Sequence, residues 1–209
     1  MFSSRREKDF GIGDIESFRR ASLFARGAGF TLVQLLPVSE LSGSETSPYG
    51  ARTAFAIDPV YIALDQIDEL LPDGAEAVLT DDERGALERL RASATIRYAD
   101  VRALKRKVLS VAFERFASNH WRKGSERDQA FQAFCAAEKA WLSDYALFVA
   151  LWNERACGWE AWPERDRSPE VLAAAHTRLE RPIAEQAYYQ WLAFTQWDAM
   201  RADLAKAGV

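Results

Sequence analysis

Residues 30–36 read Phe-Thr-Leu-Val-Gln-Leu-Leu, an apolar run with one strongly polar member, Gln34, closed by Pro37. A run this short, ended by proline, reads as a strand covered on both faces, as in a parallel sheet. A lone strand cannot satisfy its own backbone donors and acceptors. The rest of the chain is helical in period, so this one clear strand implies an incomplete sheet set among helices. Just before it, Asp14 caps a helix predicted over residues 14–26 and packed beside the strand. Ile15, Phe18, Ser22 and Ala25 form its stripe, flanked by Ala21 and Ala28. Gly27 and Gly29 offer a left-handed stop. Helix, glycine stop and strand in that order make half of an α/β unit.

Beyond Pro37, residues 41–49 are a loop rich in Ser, Gly, Glu and Thr. Residues 53–64 are apolar but broken by Asp58-Pro59, which predicts irregular or extended structure. A turn over 71–82 leads into a helical region from about Asp81. Residues 98–116 are helical through Val101, Leu104, Val108 and Val111. Residues 125–153 read as one helix, opened by a Ser125/Asp128 pair similar to a capping box. Its stripe runs Phe131, Phe134, Trp141, Tyr145, Phe148 and Trp152, with one doubled step across Glu138. Such a stripe reads as core rather than as a ligand site. Residues 156–169 form a loop. A last helix starts near Glu170, is kinked or restarted at Pro182, passes Ile183, Ala187, Trp191, Phe194 and Leu204, and ends at Gly208.

The chain of 209 residues carries a net charge of −4 and only two cysteines, Cys135 and Cys157. The acidic balance argues against nucleic acid and anionic membranes as partners. Two cysteines give no disulfide framework and suit a reducing, cytoplasmic setting. No apolar run approaches the roughly 20 residues of a membrane helix, and residues 1–9 have no signal-peptide core. Cys135 reads as a small core residue. His120 and His176 lack partners at metal-ligand spacing and read as surface or satisfied histidines. Gly11-Ile12-Gly13-Asp14 lacks the third glycine and the preceding strand of a dinucleotide site. No P-loop, paired CxxC, HExxH or GxSxG is present. No acidic pair is singled out by context as acid and base.

Four stretches carry a resemblance. Residues 6–14, Arg-Glu-Lys-Asp-Phe-Gly-Ile-Gly-Asp, resemble the segment opening the first barrel helix of glycoside hydrolase family 77, the 4-α-glucanotransferases or amylomaltases. Val33-Gln34-Leu35-Leu36-Pro37-Val38 resembles the family's second barrel strand. Thr46-Ser47-Pro48-Tyr49 followed by Thr53–Pro59 is similar to its S-P-Y…AF…NP stretch, with Asp58 in place of Asn. Residues 141–148, with Tyr189-Gln190-Trp191-Leu192 and Gln196-Trp197, match two helical signatures of an inserted region. The matches keep their order from Arg6 to Trp197.

The resemblance implies an α/β fold: the start of a (β/α)₈ barrel plus an inserted, mainly helical subdomain, this chain itself being mostly α. The implied division is 1–64 for the start of the barrel, 65–181 for the insertion and 182–209 for a further barrel helix. Residues 1–4 would be a remnant of the first strand. Implied too is transfer of α-1,4-glucan segments between maltooligosaccharides, by a retaining mechanism that uses two carboxyl groups about 5–5.5 Å apart and no metal or organic cofactor. The family's R-x-D-H stretch and His-Asp pair are absent here. No catalytic residue is therefore expected in this chain, which alone should be inactive. The C-terminal remainder of the same enzyme is the implied partner. Tyr49 and Ser47 are the residues implied to contact substrate. Trp159 and Trp162, outside any stripe, read as loop packing before a glucan platform. The alternative is a non-catalytic glucan-binding or helical interaction module.

Overall fold

The structure, a computed structural model, describes residues 1–42 and 45–209. Gly43 and Ser44, in the loop expected over 41–49, lie outside the described residues. The chain divides into two compact units, Met1–Asn119 with Leu192–Val209, and His120–Trp191.

In the first unit, helix α1 (Ile15–Gly27) starts where Asp14 accepts the Ser17 N–H at 2.8 Å. Ile15, Phe18 and Ser22 are buried, as their spacing predicts. The helix ends at Gly29, left-handed at φ 95°, with the Phe30 N–H returning to the Ala25 carbonyl at 3.1 Å.

The strand expected over 30–36 is not formed, and neither of its faces is fully covered. The segment is extended, with Val33 and Leu35 half-buried. Phe30, Leu32 and Leu36 are 62%, 77% and 47% exposed. A strand exists by pairing, and among the described residues no segment forms a ladder with residues 31–37. Residues 1–4 are likewise a turn, closed by the Ser4 N–H to the Met1 carbonyl at 2.9 Å, rather than the remnant of a strand.

Helix α2 (Asp81–Ala92) begins in a capping box: the Thr80 N–H reaches the Glu83 carboxylate at 2.8 Å and the Glu83 N–H reaches Thr80 Oγ1 at 3.4 Å. Helix α3 (Tyr98–Asn119) buries Val101, Leu104 and Val108 as expected. Its stripe then continues through Ala112, Phe113 and Phe116, leaving Val111 half-buried. Against α3 lie short 3-10 turns, among them Pro59–Tyr61 and Leu64–Gln66. Ile62, Ala63, Leu64 and Ile67 are almost wholly buried. Each large aliphatic side chain there contributes roughly 1.5–3 kcal/mol by leaving water.

In the second unit, the single helix expected over 125–153 is two: α4 (Glu126–Ala137) and α5 (Lys139–Arg155), broken at Glu138. Glu138 falls on the aromatic stripe, four residues after Phe134 and three before Trp141. A straight helix would point its carboxylate into the apolar face, which is costly. The break lets that carboxylate accept the Trp141 indole N–H at 2.6 Å instead. Helix α6 (Pro169–Arg178) is followed by α7 (Glu180–Ala207), which begins in the second unit and ends in the first. Pro182 thus sits in the first turn of a restarted helix, where its missing N–H leaves no bond unmade. Gly208, at φ 80°, follows the helix end.

Candidate functional site

The loop holding Ser47 and Tyr49 hangs from two antiparallel bridges, Ser39 with Ile57 and Leu41 with Ala51. Their ladder includes Glu40 N–H to Ala56 O, Arg52 N–H to Glu40 O and Asp58 N–H to Val38 O, each 2.9 Å. Within the loop, one oxygen of Glu45 accepts the N–H groups of Thr46 at 2.8 Å and Ser47 at 2.7 Å. These two donors hold the Glu45 carboxyl below its ordinary pKa. Ser47 Oγ accepts the Tyr49 N–H at 3.4 Å, and the Gly50 N–H reaches the Ser47 carbonyl at 3.0 Å. A side chain on Gly50 would come within 2.7 Å of the Glu45 stem, which is why glycine suits the end of this turn. Tyr49 projects outward at 76% exposure, and Ser47 is exposed beside it.

The base of the loop is locked by charge. Asp58 is fully buried; it accepts the Leu41 N–H at 3.3 Å and the Val60 N–H at 3.0 Å. Arg102 on α3 grips both its oxygens, at 2.9 and 2.6 Å. Burial disfavours the guanidinium charge, yet Asp58 holds the Arg102 pKa above its ordinary value. Three residues on, Lys105 is wholly buried and donates to the carbonyls of Val60 at 2.6 Å and Ile62 at 2.7 Å. Burial pushes its pKa down to about 8, against the pull of Asp14.

The residues 6–14 motif builds the neighbouring network. Arg6 binds both oxygens of Asp14, at 3.0 and 2.8 Å, and also pairs with Asp65. Burial raises the Asp14 carboxyl, but Arg6 and Lys105 outweigh this and leave its pKa lowered. Gly11 is left-handed at φ 86°, and a side chain on Gly13 would strike the Ser4 and Met1 carbonyls at 2.2 and 2.3 Å. This motif is therefore scaffold: its two buried carboxylates, Asp9 and Asp14, are engaged by arginine and N–H groups.

The structure puts Ser47 and Tyr49 together but, among the described residues, places no paired carboxylates at their loop. Trp162 is buried: its indole N–H donates to the Cys157 carbonyl at 3.2 Å, and Arg155 covers its ring. Trp159 is half exposed, with Arg167 stacked on it at 5.1 Å. Cys135 is half-buried, its thiol pushed up to about 11 by burial. The two helical signatures meet, Gln190 donating to the Tyr145 hydroxyl at 3.2 Å. Sequence reasoning missed Glu45 and Arg102. Glu45 had a local signal, an acceptor one and two residues before the N–H groups it binds; Arg102, 44 residues from Asp58, had none.

A family model described as 4-alpha-glucanotransferase matches residues 1–209. The chain is 32% identical over 198 residues to a 4-alpha-glucanotransferase of Synechocystis sp., covering 92% of this chain and 37% of that protein. It is 31% identical over 204 residues to one from Thermus thermophilus, covering 96% and 38%. In fold it resembles an amylomaltase from Streptococcus agalactiae solved in complex with acarbose, with a TM-score of 0.75 at 21% identity over 100% of this chain and 41% of that one. An amylomaltase from Corynebacterium glutamicum matches with the same TM-score of 0.75, at 24% identity over 99% of this chain and 28% of that one. The chain therefore spans about 37–38% of the length of these two curated relatives.

Proposed function

The chain belongs to the 4-alpha-glucanotransferase family, and we propose from this that it is the substrate-side N-terminal portion of an enzyme that moves α-1,4-glucan segments between maltooligosaccharides. The observation that carries the reading is the family match along all of residues 1–209. The retaining chemistry needs a carboxylate nucleophile and a carboxylic acid on either side of the scissile bond. In this reading both come from sequence outside residues 1–209, and the 37–38% share of its relatives supports that division. No cofactor is required, since the two carboxyl groups perform both attack and proton transfer.

Residues 1–64 are then the start of the barrel, residues 65–181 the inserted helical subdomain and residues 182–209 a further barrel helix. The Ser47–Tyr49 loop follows the extended run 30–36 at its C-terminal end, and barrel enzymes build their sites on the loops at that end of their strands. Tyr49 covers the C–H face of a glucose ring and bonds at its rim through the phenol. Ser47 turns its O–H toward a sugar hydroxyl. The exposure of Tyr49, 76%, supports a contact residue rather than a packed one.

The test is Tyr49→Ala in a polypeptide that joins this segment to the catalytic remainder, with maltotriose as substrate. Transfer should fall by about ten-fold or more, a loss of ~1.4 kcal/mol in the transition state, while Tyr49→Phe costs less. Thermal stability should hold in both. Unchanged transfer kinetics, or unfolding by Tyr49→Ala, would make Tyr49 a packing residue. Glucan binding without turnover in the intact protein would favour the non-catalytic binding module.

A further inference from the structure

The unit His120–Trp191 contains a cavity of about 290 Å³ that the reading above leaves without a role. Its size is at the lower limit of small-molecule pockets, roughly 300 Å³, enough for one ring and not for a chain. Its floor is apolar: Phe131, Leu142, Ala146 and Ala187, all buried. Its rim is polar. Ser143 Oγ lies 3.3 Å from His176 Nε2, and Arg122 pairs through both nitrogens with Glu180 across the mouth.

Arg122 is the telling residue. It sits at φ 60° in a turn closed by the Lys123 N–H to the His120 carbonyl at 2.9 Å. A side chain larger than Asn or Asp rarely adopts this left-handed conformation, and glycine would hold it without strain. The conformation lays the guanidinium 4.7 Å over the Trp121 ring and aims it at Glu180. Arg122 and Glu180 side chains are 59% and 52% exposed, and an ion pair that open returns little stability. The Asp128 carboxylate accepts backbone N–H groups of this turn, that of Gly124 at 2.9 Å among them, so the backbone is held from within while the guanidinium lines the cavity.

We propose that this cavity binds one pyranose ring of a maltooligosaccharide. A hexose offers an apolar C–H face to the floor and hydroxyls that both donate and accept to the rim. A hydrocarbon ligand would strip water from Arg122, Glu180, Ser143 and His176 without replacing it. Of the charged lining residues, Arg122 and Glu180 pair with each other and Lys139 is exposed to solvent, so the match to a hexose rests on the apolar floor and polar rim, and an anion is the competitor that the test below separates. The choice of glucose over other hexoses rests on the glucanotransferase reading; the site itself does not.

Cys135 lines this cavity, and Cys157 does not. The 209-residue protein is therefore alkylated with iodoacetamide at alkaline pH, with maltotriose added, and each cysteine is followed by mass spectrometry. At ten times the apparent Kd, labelling of Cys135 should slow about tenfold, with Cys157 unchanged. Arg122→Gly should lose the protection while its thermal midpoint holds or rises, because glycine relaxes the turn. Ser143→Ala should weaken protection with the fold intact. Tyr49→Ala should leave it untouched, so failure here is separable from failure of the transfer reading. No protection of Cys135 by maltotriose, or full protection in both Arg122→Gly and Ser143→Ala, overturns the proposal. Stronger protection by glucose 6-phosphate than by maltotriose overturns it in favour of an anionic ligand.

Discussion

Two short apolar runs in the same unit meet opposite fates. Residues 56–64 are buried almost throughout, and residues 30–36 leave Phe30, Leu32 and Leu36 in water. Hydrophobicity does not separate them; backbone satisfaction does. In 56–64, side chains take up the backbone groups one by one. Lys105 takes the Val60 and Ile62 carbonyls, and Asp58 takes the Val60 N–H. Gln196 clamps Ala63 from both sides, accepting its N–H at 2.8 Å and donating to its carbonyl at 2.9 Å. An irregular segment can be buried this way, group by group. The extended run 30–36 needs neighbouring strands, and among the described residues it has none. Its apolar face therefore stays exposed, because burying it would strand its N–H and carbonyl groups.

The sharpest way to break this contrast is to remove Asp58. Asp58→Ala leaves Arg102 half-buried without its carboxylate partner and frees the Leu41 and Val60 N–H groups. Urea unfolding should show a loss of about 3–5 kcal/mol. A loss under about 1 kcal/mol, as for an exposed pair, would mean that the lock is ornamental.

Truncation tests the apolar side directly. Ile62→Ala should cost ~2–5 kcal/mol through lost burial and a cavity. Leu32→Ala, at a position 77% exposed, should stay within about 0.5 kcal/mol. Comparable losses at the two positions would place residues 30–36 in the core.

Alkaline titration gives the smallest effect. Lys105 has its folded pKa lowered to about 8 by burial, below the ordinary lysine value of 10.5. Above pH 8 the unfolded chain therefore binds more protons than the folded one, and this group makes stability rise with pH. The window closes near pH 10, where Tyr61, its pKa raised by burial, begins to contribute the opposite slope. Lys105→Met should lack the rise between pH 8 and 10. An identical slope in the variant would show that Lys105 does not titrate there.

What could be read in advance was local. Asp14 and Gly29 sit within a turn of the helix ends they set, so α1 was legible to within a residue. Glu138 announced a disturbance in the aromatic spacing, though the spacing alone did not show that the helix breaks. Tyr49 and Ser47 are candidates through family resemblance, and their own local pattern does not single them out. Long-range pairing was not legible. Arg102 and Asp58 are 44 residues apart. Lys105 lies on the α3 stripe, where a charged side chain ordinarily reads as solvated. The strand over 30–36 was misread for the same reason: its run suits a strand, but pairing belongs to two segments and cannot be read from one.

Backbone hydrogen exchange in the 209-residue protein tests the contrast most directly, since both runs are measured in one sample. The amides of residues 31–36 should exchange near the rate of an unstructured chain, while those of Val60 to Leu64 should be protected up to the global unfolding free energy. Strong protection of both runs would contradict the account, because it would mean that residues 31–36 have found backbone partners within this chain.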